Sequence, residues 1–210
     1  MNSLKSNRMK SKMKFIAALG ILAICISFAF KPLNDKRVIV IDAGHGGKDF
    51  GAHMDGELEK KIVENIADKI SLLNGKGEIE IVLLRDHDRF IELSERVTRI
   101  NKINPSLLIS LHVNASKNLN ENGVNAYVSR QNEFYDKSKE SAKRLVEELA
   151  NEKLAKGEVK DANFFVIKNA KCPALVLEVG YLSNVNDKNY ITSENGQNEI
   201  ANQIFEFIRR

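Results

Sequence analysis

Four short runs of aliphatic and β-branched residues set the strongest limit on what this chain can become: 37–42 (RVIVID), 79–84 (IEIVLL), 107–111 (LLISL) and 174–177 (ALVL). Runs apolar on both faces cannot turn either face to water, so they predict buried strands covered from both sides. Helical stripes fill the stretches between them. Leu58, Ile62, Ile66 and Ile70 repeat at four, and Leu93, Val97 and Ile100 follow i, i+4, i+7. Ala142, Leu145, Val146 and Leu149 form a third stripe, and Ile200, Ile204 and Ile208 a fourth, with Thr192 or Ser193 as its N-cap. Weaker strand patterns occupy 123–128 and 164–167. Strands alternating with helices predict an α/β fold, with a mostly parallel twisted sheet of about six strands and helices on both faces. No repeat or low-complexity linker interrupts residues 35–210, which are expected to form one domain. In such folds ligands collect at the carboxyl ends of the strands.

The 210 residues carry 32 Lys and Arg against 28 Asp and Glu, a formal net charge of +4. An excess of that sign invites a nucleic-acid or anionic-membrane partner only if it sits on the folded surface. Five of the positive charges, Lys5, Arg8, Lys10, Lys12 and Lys14, instead precede an apolar run from Phe15 to Phe30, and residues 1–29 contain no acid. This is the layout of a secretory signal peptide, with Ser27, Phe28 and Ala29 offering a small-x-small cleavage pattern. Cleavage after Ala29 leaves 27 basic and 28 acidic residues, a net charge of about −1, and no nucleic-acid partner is expected. Retention of the run as an N-terminal anchor is the alternative, although it is short of the roughly 20 residues that span a bilayer comfortably. Either way the expected location is the periplasm or cell envelope, with membrane contact only through that segment. Cys25 lies inside the run, so a cleaved chain keeps Cys172 alone. One thiol forms no internal disulfide, and with no CxxC partner Cys172 is expected to pack as a small hydrophobe.

The first strand ends in Asp42-Ala43-Gly44-His45-Gly46-Gly47-Lys48-Asp49. A glycine-rich turn after a strand suggests phosphate binding, but Asp49 stands where a dinucleotide fingerprint needs glycine, and no GxxxxGK[ST] can be drawn. The glycines leave His45 uncrowded, either as a hydrogen-bonded structural residue or as a metal ligand. A companion, His112, closes the strand at 107–111, so two imidazoles at neighbouring strand ends can converge on a cation at about 2.0–2.1 Å. His53 and His87 lack that placement. Among nearby acids, Glu57, Lys61, Glu64 and Asp68 share a polar helical face, whereas Glu59 falls in phase with Val63, Ile66 and Ile70 and points inward. A buried carboxylate needs a partner, which here is Lys60, another base, or a metal. Two His and one Glu leave a fourth position open, as catalytic zinc sites do. Glu178 closes the fully apolar strand at 174–177 and can reach the same pocket. It reads as a general base toward an activated water, with a fourth metal ligand or a helix-capping carboxylate as the alternatives. Asn114 and Asp42 are candidates for orienting substrate or ligands, against ordinary strand-end hydrogen bonding. Arg85 is expected to make structural ion pairs.

At these residues the sequence resembles the zinc-dependent N-acetylmuramoyl-L-alanine amidases of the family 3 type, which strip stem peptides from peptidoglycan. The resemblance runs in order through 38–52 (VIVIDAGHGGKDFGA), Glu59-Lys60, 84–88 (LRDHD), Leu93 and Arg96, 110–115 (SLHVNA), Gly123-Val124 and 173–184 (PALVLEVGYLSN). It implies one zinc ion bound by His45, Glu59 and His112, with Glu178 catalytic. Ala43 stands in place of the family's usual Pro, and Val179 and Tyr181 in place of Thr and Phe. Glu64 takes a normally apolar helix position. Some members insert a blocking helix before the last catalytic strand; about 40 residues separate Gly123 from Phe164 here, enough for one long helix and a weak strand, so an open site is expected. The resemblance implies hydrolysis of the amide between N-acetylmuramic acid and L-alanine, with peptidoglycan as partner and a monomeric enzyme. Zinc hydrolysis of another amide, or a non-catalytic wall-binding protein of the same fold, are the rival readings.

Overall fold

The computed structural model describes residues 36–75 and 79–210; the expected signal segment 1–29, with Cys25 and its cleavage pattern, lies outside them. In chain order the elements are β1 (Arg37–Ala43), β2 (His53–Met54), β3 (Glu57–Leu58), α1 (Glu59–Leu73), β4 (Ile79–Leu83), α2 (Leu93–Ile103), β5 (Leu107–Asn114), β6 (Val124–Val128), α3 (Tyr135–Leu149), β7 (Lys156–Asp161), α4 (Phe165–Asn169), β8 (Ala174–Tyr181), α5 (Val185–Ile191) and α6 (Glu194–Arg209). Six strands form one sheet in the order β4-β1-β5-β8-β6-β7, and β2 pairs with β3 in a small antiparallel ribbon. β4, β1, β5 and β8 run parallel, whereas β6 is antiparallel to β8 and parallel to β7. β8, the last strand in chain order among the described residues, lies in the middle of the sheet.

Alternation along the strands divides the core. Ile39, Ile41, Ile109, Leu111, Leu175 and Leu177 face the larger cluster, which α1, α3 and α6 cover with Ile62, Ile66, Leu145, Leu149, Ile200 and Ile204. The opposite face holds Val40, Leu108, Ala174 and Val176 under α2 and α4, which contribute Ile100, Val166 and Ile167. Each fully buried Ile or Leu contributes about 1.5–3 kcal/mol. Cys172 belongs to the smaller cluster, 2 % exposed, and burial pushes its thiol up to about 12, as expected of a packing residue. Ser193 rather than Thr192 caps α6, its hydroxyl accepting from the Gly196 amide at 3.0 Å.

Two expectations are corrected. Residues 164–167 are no strand: Phe165–Asn169 forms the short helix α4, because Val166 and Ile167 both turn into the core, one beside the other. The sixth strand is β7, whose sequence KGEVKD is polar because it is an edge strand exposed along most of its length. Glu64, placed above on the polar face of the first helix, is 8 % exposed and pairs with Arg85 at 3.0 Å. Arg85 is thus a structural ion-pair residue, and it also donates to the carbonyls of Ala43, Gly44 and Lys60.

A second buried pair braces the carboxyl end of β1. Arg96 of α2 binds Asp42 and donates to the carbonyls of Ala43, His45 and Ile91, while Asp42 also accepts from the Ser110 hydroxyl at 3.1 Å. Removing one partner of a buried pair strands the other charge, so Arg96→Ala is expected to lower unfolding free energy by about 3–5 kcal/mol in urea titrations. An unchanged urea midpoint would show that water replaces the guanidinium.

Candidate metal centre and catalytic cleft

Beyond β1 the chain turns through Gly44 to Asp49. His45 takes a left-handed backbone, φ 58, unusual for a residue with a Cβ. The turn is closed by reciprocal backbone bonds between Gly46 and Asp49 at 2.9 and 3.1 Å, and the Arg96 guanidinium holds the His45 carbonyl. The imidazole is oriented by Asp49, whose carboxylate lies 2.9 Å from Nδ1, leaving Nε2 to face the cleft. This partner went unnoticed in the sequence, although a carboxylate four positions beyond a histidine in a tight turn is a usable signal.

Glu59 opens α1 and is 4 % exposed, in agreement with its helical phase. Its Oε1 lies 3.1 Å from His45 Nε2 and 2.9 Å from His112 Nδ1, and accepts from the Val113 amide at 3.0 Å. Oε2 accepts from the Ala52 amide at 2.7 Å. The two imidazoles stand edge to face, with centroids 5.0 Å apart. One donor atom from each of His45, Glu59 and His112 falls within 4.8 Å of the others, a spacing that a single cation could bridge. Lys60 does not neutralise Glu59; its ammonium goes to Asp88 at 2.7 Å and the Gly47 carbonyl at 2.8 Å.

The electrostatics of the trio favour a positive charge at its centre. Burial alone would lower the His45 pKa, but hydrogen bonding to and the charge of Glu59, then of Asp49, outweigh it and carry the ring up to about 9. Burial alone would raise Glu59, but its bonds to His112 and His45 hold it well below the usual carboxylate range. A cation bound there replaces those protons.

Glu178 sits directly across from His112 in the β5–β8 register. Its Oε2 is buried without a hydrogen-bond partner, and burial pushes the carboxyl up to about 7. A desolvated, unpaired acid costs stability, which makes Glu178 a candidate for chemistry rather than packing. Beyond it, three residues of β8 span two of β5, a bulge at which Gly180 takes φ 139. All four residues line one cleft of about 650 Å³ at the carboxyl edge of the sheet. Asp42 and Asn114 line it too, but Asp42 is bound to Arg96, and Asn114 Oδ1 accepts from the Ala115 amide at 2.9 Å, ordinary strand-end bonding. His53 is exposed, and His87 is an exposed partner of Asp86. A larger polar groove of about 960 Å³, rich in asparagines, shares no residue with this cleft.

The sequence profile of the N-acetylmuramoyl-L-alanine amidase family matches residues 39–210, almost the whole described chain. The chain belongs to this family. It is 35 % identical over 159 residues to the N-acetylmuramoyl-L-alanine amidase LytC of Bacillus subtilis, covering 72 % of this chain and 30 % of LytC. It is 30 % identical over 192 residues to YqiI of the same organism, an uncharacterised protein, with 87 % of each covered. Among solved structures, the catalytic domain of the amidase CwlV from Paenibacillus polymyxa superposes with a TM-score of 0.75 at 34 % identity, covering 82 % of this chain and 96 % of that one. The chain thus spans about a third of LytC and nearly all of the CwlV catalytic domain.

Both imidazoles stay accessible, with side chains 23 % and 25 % exposed. The long helix between Gly123 and Phe164 is α3, which packs Ala142, Leu145 and Leu149 into the larger core cluster. Gly44 explains how β1 can approach His112 so closely. A Cβ there would lie 2.4 Å from Cε1 of the His112 ring, so Gly44→Ala must push the imidazole aside. Metal affinity is expected to fall by about 10–100-fold, as for lost orienting contacts, in competition with a chelating dye, while the fold persists. Undiminished affinity would mean that His112 is not a ligand.

Proposed function

We propose that this chain hydrolyses the amide between the lactyl group of N-acetylmuramic acid and L-alanine in peptidoglycan, with one zinc ion held by His45 Nε2, Glu59 Oε1 and His112 Nδ1 and with Glu178 as general base. The observation that carries this reading is the convergence of three donor atoms beside an unpartnered buried carboxylate in one accessible cleft. Zinc, when bound, supplies Lewis acidity that polarises the carbonyl and makes water easier to deprotonate.

The chain's own groups do the rest. Asp49 fixes the His45 tautomer, and the Val113 and Ala52 amides fix the Glu59 carboxylate, so the trio is organised before substrate arrives. Glu178 takes a proton from the attacking water, whose oxygen bonds to the amide carbon. As the C–N bond breaks, the same carboxyl returns that proton to the departing alanine nitrogen. Arg96 and Asp42 hold the backbone that carries His45 and touch no reacting atom.

Action in the cell envelope, after export through residues 1–29, belongs to the same proposal. The deciding assay is release of peptides with a free N-terminal L-alanine from purified sacculi, abolished by a chelator and restored by zinc. Hydrolysis that cuts sacculi without exposing that N-terminus would assign the site to another bond.

A further inference from the structure

The cleft has one wall that the chemistry above does not use. Phe164 and Phe165 are 46 % and 47 % exposed, and with Leu93, 53 % exposed, and Phe90, 36 % exposed, they line the same cavity as Glu178. Leaving four large apolar side chains in water beside a catalytic centre marks a binding surface. The phenylalanine pair is held on a rigid support. Val166 and Ile167 anchor α4 in the core, and the buried Asn132 amide donates to the carbonyls of Ile167, Ala170 and Cys172 at 2.7, 2.9 and 3.3 Å. Phe164 also packs edge to face on Tyr127, with centroids 5.2 Å apart.

Charge decides which part of the substrate this wall suits. Apart from the two imidazoles of the candidate metal centre, the cleft is lined by five acids and one basic side chain, Arg96, which is buried against Asp42, and by no lysine. Lys168, though on α4, is outside the lining. The stem peptide of peptidoglycan carries free carboxylates, for which a cation stands only at the Phe90 end of this wall, where the Lys48 ammonium lies 4.5 Å from the ring centroid, and none lines the cleft beside Phe164 and Phe165. While its lactyl groups stay amide-linked the glycan strand itself is uncharged, and the C–H faces of its pyranose rings carry the slight positive charge that the negative faces of aromatic rings attract.

We propose that Phe164 and Phe165, with Leu93 and Phe90, form a platform for the glycan strand, so that sugars neighbouring the cleaved muramic acid lie along α4 while the acidic peptide leaves the cleft away from it. This rests on the peptidoglycan reading of the site. It makes the enzyme selective for polymer over isolated muramoyl peptides, since a single sugar fills only part of the platform.

The test uses Phe165→Ser, with Phe165→Trp as the conservative control, on the zinc-loaded protein. Because Phe165 is half exposed, melting temperatures are expected to match the wild type. The ratio of kcat/KM on glycan polymer to kcat/KM on a single-sugar muramoyl peptide is expected to fall about tenfold in the Ser variant, through KM, and to recover in the Trp variant. Direct binding of uncharged chitin oligosaccharides, read calorimetrically, is expected to weaken in parallel. An unchanged ratio, or equal loss on both substrates, overturns the platform even though the amidase reading stands. If the wild type cleaves neither substrate yet binds chitin oligosaccharides through Phe165, the amidase reading fails and the platform survives. Inhibition by free stem peptide that depends on Phe165 would reverse the proposed orientation.

Discussion

Glu178→Gln is expected to lower kcat on sacculi by about 10²–10⁴-fold, the range set by loss of a positioned general base, while zinc stays bound. The substitution keeps the shape of the side chain and removes only its capacity to accept and return a proton. Its effect on stability should run opposite to its effect on rate. Glu178 Oε2 is buried without a partner and burial already disfavours its charge, so a neutral amide there costs no more to bury, and the melting temperature should hold or rise. A variant that melts lower and loses zinc would identify Glu178 as a fourth ligand. A variant that retains full hydrolysis with zinc bound would remove it from the mechanism altogether.

Glu59→Ala is expected to abolish activity and to separate metal binding from folding. On the proposed reading zinc binds the folded wild type and should raise stability by about 4 kcal/mol at a concentration a thousandfold above its dissociation constant. The variant should lose that increment, so its melting temperature becomes independent of zinc. It should also be weaker without metal. The carboxylate accepts from the amides of Ala52 and Val113, and leaving the buried Val113 donor unpaired costs about 1–3 kcal/mol. The expected pattern is a lower metal-free melting temperature together with a flat zinc titration. A variant that melts lower but still responds to zinc would show that two imidazoles and another group suffice.

Most of this arrangement is visible in the sequence because burial leaves a strong mark on composition. The four apolar runs are the four parallel strands, and the phase of Glu59 against Val63, Ile66 and Ile70 identifies the one acid of α1 that meets both imidazoles. What escaped notice has little apolar signature. β7 is an exposed edge strand with charged residues, and α4 is a single anchored turn whose Phe-Phe-Val-Ile run mimics a strand. Glu64 and Arg85 are buried only as a pair, so each alone looks like a surface residue. The same holds for Asp42 and Arg96, joined across 54 positions of chain. Spatial pairing of opposite charges has no periodicity to betray it, whereas a helical stripe does.

The central position of β8 governs when the protein can become dangerous to the wall it is proposed to cut. His45, Glu59 and His112, the proposed metal ligands, all fall within the first 112 positions, but the proposed base, Glu178, arrives on a strand that must slot between β5 and β6. Contacts of such long range form late in folding. A chain stopped before Ala174 would carry metal ligands without a base and an open seam through the sheet. On that reading such a fragment is inert, and hydrolysis begins only once β8 has closed the sheet.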